Sequence, residues 1–270
     1  MTINVDSDSC TRCGTCAEIC PMGIIDPTSG GTLPQVQKEN ERKCISCGQC
    51  EAFCPSGALV RGTESRKQTS ASGEGEIPAE KLGIYLKSRR SIRHYRTEPV
   101  AKETITSILD IARYAASGSN SQPVEWLVIH DPREVQKIGK LTVDWMRELA
   151  KSNHPISSYA PHFIAAWESG NDLICRNAPH LLFPTIPEEN PIAPTDAIIA
   201  LTHFDIAAPA FGIGTCWAGF VAGASLNYEP LQDLLALPNG RVTGYAMMFG
   251  HPEYRPAFIP SRKPLKVTWK

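Results

Sequence analysis

Eight of the ten cysteines fall in two runs that state one pattern twice: Cys10-x2-Cys13-x2-Cys16-x3-Cys20-Pro21, then Cys44-x2-Cys47-x2-Cys50-x3-Cys54-Pro55. Nothing else in the chain limits its fold as strongly. Three thiolates at this spacing can hold three irons of one [4Fe–4S] cube, while the fourth, followed by proline, points away and ligates the other cube. Cys10, Cys13, Cys16 and Cys54 are therefore assigned to one cluster, and Cys44, Cys47, Cys50 and Cys20 to a second. The cubes are cross-linked through the chain, so neither half is expected to fold alone. Zinc ribbons pair C-x2-C units but do not repeat the longer run. A disulfide framework needs an oxidising compartment, to which nothing in the sequence points.

The chain has 270 residues and a net charge of −1. The cysteine segment leaves roughly 200 residues, enough for a full hydrophobic core. A charge near zero gives no basic footprint for nucleic acid. The start, Met1-Thr2-Ile3-Asn4-Val5-Asp6, shows neither the basic nor the apolar region of a signal peptide. No apolar run approaches the ~18 residues of a membrane span. These features lead us to expect a cytoplasmic protein that does not engage membranes.

Short strands are expected at 3–5, 24–25 and 33–36, with one-turn helices at 14–19 and 48–53 and a turn at 29–32. From 61 to 76 the composition becomes polar and Gly/Ser-rich, as in a linker or a long surface loop. Helical spacing of apolar residues predicts helices at 79–87 and 102–116, the latter through Ile105, Ile108, Leu109, Ile111 and Ala112. Residues 125–130 read as a buried strand. Asp131-Pro132 then opens a helix running to about residue 150, with proline in its first turn. A helix is expected at 161–170 and a strand at 180–183. Pro194-Thr195-Asp196 is read as the cap of a helix at 197–211, apolar on nearly every face and hence buried in a core or a subunit interface. Residues 214–219 read as a tight glycine-rich segment, 231–236 as a helix and 244–249 as the last strand. The fold class is α+β.

Three segments of this second part carry polar chemistry. Arg89-Arg90-Ser91-Ile92-Arg93 places three guanidinium groups and a hydroxyl within five residues, and arginine forks match phosphate oxygens. By itself the segment is equally a solvated charged turn. Ser117-Gly118-Ser119-Asn120-Ser121-Gln122-Pro123 combines small polar side chains with a glycine, which lets backbone approach a ligand, or serves as an ordinary helix-to-strand loop. Gly212-Ile213-Gly214-Thr215-Cys216-Trp217-Ala218-Gly219 is not a dinucleotide fingerprint, because no βαβ unit surrounds it.

In this order and spacing the three segments resemble the nitroreductase family of flavin enzymes. That family opens with an Arg-Arg-Ser-x-Arg type motif, continues with a Ser-x-x-Asn-Ser-Gln-Pro loop and a Gly-x-Gly-Thr-Cys-Trp segment, and closes with an Arg-x-Pro-Leu stretch, here Arg262-Lys263-Pro264-Leu265. The first part is similar to the 2[4Fe–4S] ferredoxins, and the whole chain to ferredoxin-fused nitroreductases. The division implied is a ferredoxin domain at 1–64, a linker at 65–78 and an FMN domain at 79–270.

The resemblance implies FMN as a third cofactor beside two [4Fe–4S] clusters. Arg89, Arg90, Ser91 and Arg93 would hold its phosphate, ribityl chain and one ring edge, and Arg262 would add a phosphate contact. Ser117, Gly118 and Asn120 would serve the flavin of the other subunit in an intertwined homodimer. Trp217, Ala218 and Gly219 would line the ring near its reactive nitrogen. The implied activity is that of an FMN-dependent oxidoreductase fed through the clusters. Its donor would be a protein or NAD(P)H, and its acceptor a small nitroaromatic or quinone. The alternative is an electron-transfer or redox-sensing protein acting on a protein partner. No catalytic acid is assigned. Cys216 and Cys175 are read as buried packers, Tyr95 as a packing residue, and Tyr159, His162 and Trp167 as candidates for a substrate pocket or for helix packing.

Overall fold

A computed structural model of the chain describes residues 3–26, 31–61 and 76–270. The turn expected at 29–32 lies partly, and the linker expected at 65–78 largely, outside the described residues. Contacts divide the chain into two compact units. One is Met1–Glu76 with Ser119–Ser121, and the other is Ile77–Gly118 with Gln122–Lys270.

In the first unit β1 (Ile3–Val5), the one-turn helices α1 (Thr15–Glu18) and α2 (Gln49–Ala52), and β2 (Leu59–Arg61) follow in order. The two strands pair antiparallel, Val5 opposite Leu59. Each small helix is entered through a left-handed glycine, Gly14 at φ 80° and Gly48 at φ 75°, a conformation open to a residue without Cβ. Two residues earlier Arg12 and Ser46 repeat φ values of 55° and 56°. The sequence repeat is thus a repeat of backbone. The strands expected at 24–25 and 33–36 reduce to one bridge, Ile25 opposite Val36. The strand β2 occupies the end of the cysteine segment, where no strand was expected. Among the described residues of this unit the buried apolar side chains are Ile24, Ile25, Pro34, Ala58 and Leu59.

The second unit runs α3 (Ala79–Ser88), α4 (Lys102–Ala112), β3 (Glu125–Ile129), α5 (Pro132–Leu149), α6 (Ala160–Glu168), β4 (His180–Pro187), α7 (Ala193–Ala207), β5 (Gly214–Trp217), α8 (Gly219–Asn227), α9 (Glu229–Leu235), β6 (Arg241–Thr243) and β7 (Met247–Gly250). Its antiparallel sheet has the order β3-β4-β7-β5, with β6 also on β4. β4 is buried along nearly its whole length, and its side chains alternate between two cores. Leu181 and Phe183 join Val135, Ile138, Met146 and Val221 on one face. Leu182 joins Ile108, Leu201, Phe204 and Phe249 on the other. A strand covered on both faces reads as a continuous apolar run, which explains why its eight residues carry no polar alternation.

α5 starts where expected. The Asp131 side chain accepts from the Arg133 N–H at 2.9 Å, capping a helix whose buried Val135, Ile138, Gly139, Thr142, Val143 and Met146 recur at helical spacing. At the head of β4, His180 is fully buried. Its Nε2 accepts from Val100 N–H at 2.9 Å, so its Nδ1 carries the proton and donates to the His130 carbonyl at 3.0 Å. Burial, with His130 stacked at 4.3 Å, pushes its pKa down to about 4.

Four expectations are corrected by tertiary context. The helix of 102–116 stops at Ala112. The helix expected at 197–211 begins at Ala193 and passes into a 3-10 turn, Ala208–Phe211. Asp196 therefore lies inside the helix, where it accepts from the Gly118 N–H at 3.0 Å instead of capping. The segment 214–219 is the edge strand β5 running into α8, held by pairing with β7 from Gly214 opposite Gly250 to Trp217 opposite Met247. The last strand is Met247–Gly250, and Arg241–Thr243 forms a separate strand. No helix among the described residues is long and apolar enough to cross a membrane.

Candidate functional site

The first unit gathers its eight cysteines into two sets. Cys10, Cys13, Cys16 and Cys54 line one cavity, bordered also by Arg12, Thr15 and Ser56. Cys20, Cys44, Cys47 and Cys50 line a second, bordered by Met22, Ile45 and Gln49. In each set three members come from one run, around its one-turn helix, and the fourth comes from the far end of the other. All ten cysteines of the chain are free thiols. Among the described residues no three His, Cys, Asp or Glu side chains are disposed to hold a metal ion. Four thiols spread around a cavity, without convergence on one point, fit an all-cysteine iron–sulfur cube better than a mononuclear zinc. The Thr15 hydroxyl, 3.3 Å from Cys13 Sγ, is foremost in drawing that thiol below its ordinary value. Burial pushes the thiols of Cys16 and Cys50 up.

In the second unit the arginine segment leaves α3 in extended conformation and lies along β5, Ile92 N–H donating to the Thr215 carbonyl at 2.8 Å. Gly214 permits this approach, since a Cβ there would sit 2.7 Å from Ile92 Cγ1. Beside it opens a large cavity lined by Arg89, Arg90, Gly214, Thr215, Tyr254 and Arg255, among others. Arg90 donates to the carbonyls of Arg89 and Lys87 at 2.5 and 2.6 Å. Its Nε and Arg89 Nη1 are nonetheless buried without a hydrogen-bond partner. Arg89 Nη1 lies 3.5 Å from Asp205 Oδ2, within ion-pair range but without a hydrogen bond. Buried donors left unmade are costly. Two guanidinium groups in that state at one cavity fit an anionic ligand such as a phosphate ester.

Asp205 of α7 is the residue that sequence reasoning missed. It is 4 % exposed, accepts from the Thr215 hydroxyl through Oδ1, and accepts from Trp217 Nε1 through Oδ2 at 3.1 Å. One buried carboxylate thus joins Arg89 of the first segment to Thr215 and Trp217 of the third. The only signal in the sequence is an acid standing in an otherwise apolar helix. Trp217 also meets Tyr245 edge-on at 5.1 Å, and Ala218 N–H donates to the Ala246 carbonyl at 2.9 Å. Gly219 opens α8, whose first amides lack partners within the helix.

The remaining expected residues lie as follows. Ser117 Oγ accepts from Gln122 N–H at 3.0 Å, and Gly118 is tied to Asp196 of α7. A Cβ at Gly118 would sit 2.8 Å from Ile192. Asn120 is grouped with the first unit. Ser91 is half-buried and Arg93 exposed, its Nη1 3.4 Å from the Ser91 carbonyl. Arg262 lies on the exposed C-terminal segment and not on the wall of the large cavity, where Arg255 stands. Cys216 and Cys175 are buried, and burial raises both thiols. Tyr95 is buried with its hydroxyl on the Ile92 carbonyl at 2.7 Å. Trp167 packs against Gly139, while Tyr159 is 63 % exposed.

Residues 86–251 match the model of the nitroreductase family, and residues 9–59 match that of a 4Fe-4S dicluster domain. The chain is similar to the FMN reductase (NAD(P)H) of Bacillus subtilis (strain 168), at 31% identity over 179 residues, covering 65% of this chain and 67% of that protein. Among solved structures, the nitroreductase with bound FMN from Bacteroides fragilis NCTC 9343 is similar with a TM-score of 0.57 at 18% identity, over 69% of this chain and 95% of that one. The nitroreductase with bound FMN from Desulfitobacterium hafniense DCB-2 gives 0.56 at 22% identity, over 72% of this chain and 99% of that one. At these identities the structural likeness is one of fold.

Proposed function

We propose that this chain, which belongs to the nitroreductase family, is an FMN-dependent oxidoreductase that receives electrons through two [4Fe–4S] clusters and reduces a small electrophilic acceptor such as a nitroaromatic or quinone. The observation that carries the reading is the presence in one chain of two four-thiol cavities and a third, large cavity flanked by unpartnered buried guanidinium atoms. When bound, FMN exchanges two electrons and each cluster one, and the protein supplies their binding, orientation and electrostatics.

The chain's own residues divide that work. The two cysteine sets hold the clusters. Arg89 and Arg90 offer the unpartnered donors, with Ser91 and Arg93 beside them and Arg255 on the same cavity wall. Trp217, fixed by Asp205, lines the ring with Ala218 and Gly219, and the free amides of α8 face developing negative charge. Ser117, Gly118 and Asn120 serve the flavin of a second subunit. A homodimer is supported by apolar surface. On α7 Ile198 and Ile206 are 38 % and 36 % exposed, and on the C-terminal segment Phe258, Leu265 and Trp269 are 88–90 % exposed. The domain division is 1–64, 65–78 and 79–270. Two clusters held by cysteine thiolates suit a reducing, cytoplasmic setting. The Bacillus relative's name supports NAD(P)H as donor, and the fused cluster module supports a low-potential protein.

Two variants test the reading in protein purified without oxygen. Arg93→Ala is expected to lose FMN on dialysis, and unchanged flavin content would contradict the phosphate-site assignment. Cys44→Ala is expected to lose iron and donor-driven turnover while keeping FMN. Turnover that survives the loss of iron would exclude the clusters as the electron inlet.

A further inference from the structure

The two cysteine runs share spacing and backbone, so what distinguishes the clusters is side chains. Arg12 stands where the second run has Ser46, and Thr15 where it has Gln49. Beyond the prolines, Ser56 follows Cys54 by two residues as Met22 follows Cys20. Thr15 Oγ1 lies 3.3 Å from Cys13 Sγ and Ser56 Oγ 3.8 Å from Cys54 Sγ. Both of these thiols, and Arg12, border the first cavity. At the second cavity Met22 has no proton to donate, and among the described residues Gln49 donates to no cysteine sulfur.

A thiolate bound to iron has no proton, so each hydroxyl must be the donor. Reduction adds a negative charge shared by the cube and its cysteine sulfurs. Hydroxyl dipoles aimed at those sulfurs, and a nearby guanidinium, stabilise the reduced form more than the oxidised form and raise the potential. The hydroxyls of Thr15 and Ser56 and the guanidinium of Arg12 border the first cavity and act in that direction, whereas Ser46, the counterpart of Arg12, does not border the second.

We propose that the cluster held by Cys10, Cys13, Cys16 and Cys54 has the higher reduction potential and takes the first electron, with Thr15, Ser56 and Arg12 setting the difference. The proposal rests on the ligand assignment given above. The step is the transfer of one electron from a low-potential one-electron donor to one cube, with no bond made or broken and no proton moved. In the half-reduced protein the electron resides on this cluster, and the cluster of Cys20, Cys44, Cys47 and Cys50 is filled second.

The test is an anaerobic potentiometric titration of the full chain with dithionite, followed by electron paramagnetic resonance, with iron and sulfide measured on each sample. The unmutated protein is expected to show two separate cluster waves. In the double variant Thr15→Val, Ser56→Ala the higher wave moves down toward the lower, which stays in place. Thr15→Ser, which keeps the hydroxyl, leaves both waves unmoved. Arg12→Gln, at an exposed position, lowers the same wave and carries the test if the double variant loses iron. A shift of the lower wave alone, a single unresolved wave in the unmutated protein, or full iron with neither wave moved would overturn the proposal. Iron short of two clusters in the unmutated protein would instead overturn the cluster reading on which it rests.

Discussion

The two units are stabilised by different means. Among its described apolar side chains the first buries Ile24, Ile25, Pro34, Ala58 and Leu59, whereas the second packs two cores against opposite faces of β4, with Phe183, Phe204 and Phe249 fully buried. Ordering a residue's backbone costs about 1–2 kcal/mol, and so few buried apolar side chains cannot offset that over a segment of this length. The cysteine sets must supply the difference, so in the first unit the functional groups are also the core. In the second unit the core is complete without a ligand, which lets it hold Arg89 and Arg90 with unmade hydrogen bonds at a cavity edge.

Removing iron should break this contrast most sharply. A chelator under anaerobic conditions is expected to abolish hydrogen-exchange protection across 3–61 while the second unit keeps its own. Persistent protection of 3–61 without iron would show a self-sufficient core. Phe204→Ala should do the reverse. It removes a fully buried ring packed on Phe249 at 5.5 Å and is expected to cost the second unit about 3–5 kcal/mol in denaturant melts, with iron content unchanged.

Acid should act next, through His180. Its folded pKa of about 4 lies below the unfolded value near 6.5. Above pH 6.5 it is neutral in both states and costs nothing. As pH falls from about 6.5 to 4 the unfolded chain takes up a proton that the folded chain refuses, and stability is lost, by at most about 3 kcal/mol. Melting of the second unit followed from pH 7.5 down to 4 reads this directly. A flat profile would mean that the ring accepts a proton in place. The smallest expected effect is Asp205→Leu, which strands the Thr215 hydroxyl and the Trp217 indole N–H at a cost of about 1–3 kcal/mol. Tryptophan fluorescence should shift and FMN be released more readily. Asp205→Asn, which can still accept from the indole, should be milder in stability.

The chemistry of the first unit was legible in the sequence because its ligand pattern is written in local spacing. Its weak strands were not, because residues 24–25 and 33–36 are placed by the ends of the cysteine runs and keep only the bridge from Ile25 to Val36. In the second unit α4, α5 and β3 could be read from apolar period and capping. β5 could not, since four residues between glycines carry no period, and its strand character comes from pairing with β7. Asp196 and Asp205 look like a cap and a stray charge on α7. Both are buried, at 3 % and 4 % exposure, and their roles depend on Gly118, Thr215 and Trp217, which only the folded chain brings near.

The central claim is that electrons reach the flavin site by way of the clusters. Its most direct test is anaerobic stopped flow, following flavin bleaching in the intact protein after mixing with chemically reduced ferredoxin or, separately, with NADPH or NADH alone. The account predicts cluster reduction first and flavin bleaching after it with ferredoxin, and slow or absent bleaching with the nicotinamides. Rapid bleaching by NADPH or NADH, with the clusters still oxidised, would contradict it.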